Sequence, residues 1–224
     1  MSSWDDIAVW WREEIADDPA FRNDIDPLLD TLLPDDRGIT VDLGCGEGQG
    51  MRRIGGSVFG IDLSIELLKA AGSPGAVFQA RAPELGAIRS GSVDTAYSVY
   101  LLDLIEVEGA LLYECARIVS PGGALVVVIN HPAYTAPGSA PLMDDDGEIL
   151  WRWGRYFVPG SSEEPAGDRT VTFHHRPIGD ILTAAASAGW VLEEFAERPL
   201  SPETVELMPG YVGQEQIPRF AGFR

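Results

Sequence analysis

Apolar positions along this chain follow two different periods, and the change between them divides it into elements. Trp4, Ile7, Ala8, Trp11 and Ile15 recur at helical spacing and predict a helix over residues 4–16. Asp17-Asp18-Pro19 reads as a stop and a fresh start, with a second helix over 19–33. Pro34 to Gly38 is a turn cluster. Beyond it come short β-rich runs: Ile39–Leu43, Val58–Asp62, Ala76–Gln79, Val93–Ser98 and Ala124–Ile129. Helical segments fall between them at Ile65–Ala71 and Glu108–Val119. Continuous apolar strands alternating with helices predict a doubly wound α/β fold, with a mostly parallel sheet covered on both faces.

Residues 131–176 break this rhythm. They are rich in Pro, Gly, Asp and aromatic residues and show no clear period. Trp151, Trp153, Tyr156 and Phe157 argue against disorder. The segment is read as an insertion, or lid, over the sheet. A helix then spans Ile178–Ala188 and closes at Gly189, in a C-cap position. Trp190–Phe195 is expected as a sixth strand and Gln216–Phe223 as the last, running antiparallel. The whole is read as one domain, with residues 1–36 as an N-terminal helical cap.

Composition narrows the partners. The 224 residues carry a formal net charge of −19. Such a surface repels nucleic acid and anionic membranes, because both are held by Lys and Arg. A small-molecule partner is compatible. The two cysteines, Cys45 and Cys115, imply neither a disulfide framework nor a zinc site, so no metal is expected. No basic-then-apolar leader follows Met1-Ser2-Ser3, and no run approaches the length of a membrane span, so the expected location is the cytoplasm. The oligomeric state is not legible.

The strongest chemical signal is Val41-Asp42-Leu43-Gly44-Cys45-Gly46-Glu47-Gly48. A Gly-x-Gly-x-Gly turn stands directly after a buried strand and before a helix. Glycines there permit positive φ and let a ligand lie against the main chain. A dinucleotide site would want Gly-x-Gly-x-x-Gly, but the sixth position from Gly44 is Gln49. A phosphate-binding loop is excluded because no Gly-Lys-Ser/Thr follows.

This region resembles class I, Rossmann-like S-adenosylmethionine-dependent methyltransferases, in particular a bacterial subset acting on small molecules. Asp42–Gly48 resembles the family's first motif, and Gly60-Ile61-Asp62-Leu63-Ser64 its second-strand ending. Gly91-Ser92-Val93-Asp94 resembles the entry to the fourth strand, and Arg117–Gly123 the turn before the fifth. The four matches stand in the family's order. The resemblance implies a seven-stranded sheet with its last strand antiparallel. It also implies that S-adenosylmethionine is held by Asp42, Gly44, Gly46, Gly48, Asp62, Leu63, Arg81, Ala82 and Ser98, leaving S-adenosylhomocysteine as product. Asp62 would accept hydrogen bonds from the ribose hydroxyls. Arg81 stands about where family members often place an acid near the adenine, and its guanidinium suits a flat π-face.

The acceptor side is less legible. Ligands of open α/β sheets bind outside the carboxyl ends of the strands. Candidates there for a general base or pocket wall are His131 and His175 with Tyr156, and beside them Tyr134 and His174. Each histidine also has a purely structural reading. Asp103, after strand four, either meets a cationic acceptor or caps a helix start. Two other functions stay open: an NAD(P)-dependent oxidoreductase, and a non-catalytic protein that keeps the fold as a binding module.

Overall fold

A computed structural model describes residues 4–72 and 75–224, without the side chains of residues 14–17. Met1–Ser3, where the leader question was posed, and the Ile15 side chain of the first helical pattern lie outside the described residues.

The first helix, α1, spans Trp4–Asp17. The second helical region is a short π-helical turn, Phe21–Ile25, running into α2, Asp26–Leu32. Strand β1 (Thr40–Leu43) is followed by α3 (Gln49–Ile54), β2 (Val58–Asp62), α4 (Ile65–Ala70) and β3 (Val77–Gln79). Then come β4 (Val93–Val99), a 3-10 turn (Leu102–Leu104), α5 (Glu108–Ile118) and β5 (Val119–Asn130). The central sheet is completed by two strands near the C-terminus, β10 (Phe195–Arg198) and β11 (Phe220–Phe223), in the order β10-β11-β5-β4-β1-β2-β3. Strands β3, β2, β1, β4 and β5 run parallel, and β11 is antiparallel to both its neighbours. This is the Rossmann-like, seven-stranded, mostly parallel arrangement expected.

Apolar residues on both faces of one strand explain the continuous runs. In β5, Leu125, Val127 and Ile129 pack with α5 and α7 (Ile178–Ser187) on one side. Val126 and Val128 pack with Leu28, Leu29 and Leu32 of α2 on the other. Strands buried on both faces lose the polar alternation that marks a half-exposed sheet.

Two expectations are corrected. The sixth strand begins at Phe195, not Trp190. Trp190 instead donates its indole N–H to the Leu112 carbonyl at 3.1 Å, which anchors the end of α7 on α5. The segment after β5, where the sequence shows no clear period, is built of regular elements. A short helix, α6 (Pro132–Thr135), leads into two antiparallel hairpins, β6–β7 (Ala140–Met143 with Ile149–Arg152) and β8–β9 (Gly160–Ala166 with Arg169–His175). β8 reads GSSEEPA, so it has no apolar run to signal a strand. A separate small cluster of Ile7, Ala166 and Val171, flanked by Trp4, Trp10 and Phe173, seats this second hairpin on α1. Among the described residues, no helix is long and apolar enough to cross a membrane.

Candidate functional site

The glycine turn after β1 adopts the conformation its composition demands. Gly44, Gly46 and Gly48 have φ of +76°, +51° and +76°, a left-handed region that a side chain rarely enters. The Gly44 and Cys45 amides both donate to the Ile61 carbonyl at 2.9 Å, which ties the turn to the end of β2. At that end, Asp62 accepts from the Gly46 amide at 2.9 Å and, through its other oxygen, from the Ser64 amide at 2.8 Å. One carboxylate thus organises both loops. Burial raises its pKa against the lowering effect of those amides.

Close packing beneath the turn adds a constraint at Gly60. A Cβ there would fall 2.5 Å from both Cys45 Sγ and Met51 Sδ. Gly60→Ala is therefore expected to cost about 1–3 kcal/mol through overpacking and to displace the turn. Thermal melting checks this, and a melting temperature equal to wild type would refute it. Burial pushes the Cys45 thiol far up, consistent with a packed rather than a nucleophilic residue.

Above the turn lies a cavity of about 1660 Å³. Its floor is formed by Gly44, Gly46, Asp62 and Leu63, and one end by Arg81 and Ala82 after β3. A Cβ at Gly46 would meet nothing within 4 Å, so the space over the turn is open to a ligand. The roof is α1, which presents Trp4, Ile7 and Trp11. The helix is fastened to both loops. Ser64 Oγ donates to Asp5 at 2.7 Å, and Arg12 pairs with Glu47 of the glycine turn at 2.9 Å. The far wall combines the β4–α5 connection with the β8–β9 hairpin.

Six residues implied by the resemblance therefore share one cavity: Gly44, Gly46, Asp62, Leu63, Arg81 and Ala82. The other three lie outside it. Asp42 is buried under the first turn of α3, where Tyr97 donates its hydroxyl to Asp42 Oδ2 at 2.6 Å. Burial raises the Asp42 pKa to about 7. Gly48 is the N-cap of α3, and Ser98 is buried within β4.

His131, His175 and Tyr156 are not part of the cavity lining. His131 caps α6. Its Nδ1 accepts from the Ala133 amide at 3.0 Å, which leaves Nε2–H to donate to Glu197 at 2.7 Å. His175 Nε2 donates to the Tyr156 carbonyl at 2.8 Å, and the Tyr156 hydroxyl accepts from the Ile178 amide at 3.2 Å. Burial lowers the pKa of both imidazoles. Asp103 is buried and accepts from the Asn130 amide at 3.0 Å and from its side chain at 3.1 Å, so it locks the turn after β4 to the end of β5. Burial raises its pKa to about 7.

Three cavity residues were not singled out as site residues by the sequence. Tyr100, directly after β4, has φ of +62°, a strained value for a side-chain-bearing residue of the kind that clusters at functional sites. Trp4 and Trp11 meet edge to face at 5.4 Å under α1. Their seven-residue spacing was legible as one helix face, but not what that face covers. His174 was among the candidates, but not the one favoured. It lines the cavity while its neighbour His175 faces away, because successive residues of a strand point to opposite sides.

Comparison with known proteins agrees with this geometry. Residues 41–127 match the model of a methyltransferase domain family. An S-adenosylmethionine-dependent methyltransferase from Mesorhizobium loti is 30% identical and superposes with a TM-score of 0.78, over 88% of this chain and 94% of that one. A structure from Listeria monocytogenes, 23% identical, shares the fold with a TM-score of 0.74 over 88% and 93% of the two chains. Among curated proteins, a ubiquinone biosynthesis O-methyltransferase from Paracidovorax citrulli is 33% identical over 129 residues, 51% of this chain and 53% of that protein. The chain thus spans about half the length of the curated relatives it matches. Being 30% identical to a solved S-adenosylmethionine-dependent methyltransferase of which it covers 94%, the chain belongs to the class I family of S-adenosylmethionine-dependent methyltransferases.

Proposed function

We propose that this protein transfers a methyl group from S-adenosylmethionine to an oxygen atom of a small organic acceptor. The observation that carries the reading is that Gly44, Gly46 and Asp62 floor a cavity of about 1660 Å³, well above the about 300–1,000 Å³ of an ordinary ligand site. There is room for an acceptor beside the cofactor. The oxygen is suggested by the O-methyltransferase relatives.

The residues fit the cofactor. The open space over Gly46 admits it against the main chain, and Asp62 has lone pairs left to accept from a diol. Arg81 and Ala82 line the same cavity, and in this reading they face the adenine. Bound there, S-adenosylmethionine supplies an electrophilic methyl group on a sulfonium. The chain's task is to hold the acceptor in line and keep water away. Trp4, Ile7 and Trp11 of α1 and Leu104 and Ile105 of the β4–α5 connection provide the apolar walls. In this reading α1 is the cap, and the β8–β9 hairpin is the working part of the lid.

Calorimetric titration with S-adenosylmethionine, S-adenosylhomocysteine and NADH tests the cofactor. Binding of the two adenosyl compounds alone is expected, and NADH binding would favour an oxidoreductase instead. Asp62→Ala should weaken adenosyl binding by about 1–3 kcal/mol, or about 5–150-fold in Kd, through lost charge-assisted hydrogen bonds. Unchanged affinity in a folded variant would remove Asp62 from the site.

A further inference from the structure

We infer that His174 is the general base of this enzyme and that its acceptor is a phenolic hydroxyl, bound between the β8–β9 hairpin and the turn after β4. The inference rests on the methyl-transfer reading above and names the acceptor class for the same cavity.

Geometry carries it. His174 is the histidine of the cavity lining, and it stands on β9 opposite Ser161 of β8. Strand β9 packs against the 3-10 turn that follows β4. That turn sits at the carboxyl end of the sheet, where ligands of open α/β folds are held. Glu163 is on the neighbouring strand, held by the Thr172 hydroxyl, which donates to it at 2.5 Å. Both Glu163 and Thr172 line the cavity. The imidazole is only partly exposed and makes no hydrogen bond that would occupy it in the way His131 and His175 are occupied, among the described contacts.

Charge and burial prepare the ring for a proton. Desolvation and the adjacent Arg176 hold His174 below its ordinary value, so it is neutral at pH 7 and can accept. Glu163 on β8, Glu106 in the β4–α5 connection and Glu108 at the start of α5 act in the opposite sense and favour the imidazolium once it forms. An imidazole takes a proton far more readily from a phenol, near pKa 10, than from an aliphatic alcohol, close to water at about 15.7. Trp4, Trp11 and Ile105 supply flat and apolar walls that match an aromatic ring.

In the transfer, the phenolic proton moves to the free imidazole nitrogen of His174 as the oxygen forms its bond to the methyl carbon. The carbon–sulfur bond breaks, its electron pair stays on sulfur, and S-adenosylhomocysteine is released. The imidazolium returns its proton to solvent.

The test uses the full chain saturated with S-adenosylhomocysteine, whose binding is first confirmed by calorimetry. 4-Nitrophenol is then added at pH 6, where it is mostly neutral in water, and its visible phenolate band is recorded. Bound probe should show a phenolate band several-fold stronger than free probe. His174→Gln should bind it within about threefold of wild type but lose that band. In wild-type protein the His174 ring ¹⁵N signals should shift to the imidazolium position on adding the probe, a readout that needs no variant to fold. Binding without either signature, or a band retained in His174→Gln, would overturn the role of His174. No binding of 4-nitrophenol to the complex would overturn the phenolic acceptor. Failure to bind S-adenosylhomocysteine at the outset would instead count against the underlying methyl-transfer reading.

Discussion

Replacing Arg176 with Met should lower the unfolding free energy by about 3–5 kcal/mol, the cost typical of removing one partner from a buried ion pair. Arg176 lies two residues before α7 and is only 7% exposed. Its Nε pairs with Glu108 at 2.7 Å. Its remaining guanidinium nitrogens donate to the carbonyls of Leu102, Ile105 and Glu106, the last at 2.7 Å. One side chain thereby ties the segment before α7 to the start of α5 and to the backbone of the β4–α5 connection that lines the cavity. Methionine fills much of the volume but satisfies none of these groups, and unpaired buried carbonyls are costly. Lysine should recover only part of the loss, because one ammonium cannot reproduce the planar fork. Denaturant unfolding measures the change, with a fall in Tm of about 6–20 °C for a chain of this size. A loss under about 1 kcal/mol would show that the pairing contributes little.

Asp42→Asn should stabilise the protein at pH 7.5 and leave it nearly unchanged at pH 4. Folding raises the Asp42 carboxyl from 3.8 to about 7, chiefly through burial. Between those values the unfolded chain has lost a proton that the folded chain retains. The stability associated with this group is therefore fully present below about pH 3.8 and is lost as pH rises to about 7. Three units of difference correspond to about 4 kcal/mol at about 1.36 kcal/mol per unit. Asn is close in shape, carries no charge, and its carbonyl oxygen still accepts from Tyr97. Asp103, likewise raised to about 7, acts in the same direction. The lowered imidazoles of His131, His174 and His175 act oppositely, as do the lowered carboxylates of Asp5, Glu163 and Glu215, which lie near the surface where solvent screens them. The gain in Tm of Asp42→Asn over wild type should therefore be larger at pH 7.5 than at pH 5.5, which isolates this group from the others that titrate in the same range. A gain that does not grow with pH would contradict the assignment.

The division between what was legible and what was not follows the range of the interactions. Local sequence determined the doubly wound sheet, because continuous apolar runs such as Ala124–Ile129 can be buried only between two layers. It also determined the glycine turn and the acid at the end of β2. Positive φ at three alternating positions is a property of Gly itself, and the order of four short motifs is carried within about eighty residues. The polar β8–β9 ribbon escaped detection because pairing with a neighbour, rather than an apolar face of its own, makes it a strand. Sequence likewise could not separate His174 from His175. Adjacent in the chain, they differ only in which face of β9 each occupies, and that is settled by the register with β8 and by Ile7 and Val171 seating the hairpin on α1. His131 lies outside the cavity for the same kind of reason: a cap on α6 and a hydrogen bond to Glu197, sixty-six residues away, claim both of its nitrogens. The glycine-turn side of the cavity was thus determined by residues close in sequence, whereas the opposite walls were decided by long-range packing of α1, the β4–α5 connection and the second hairpin.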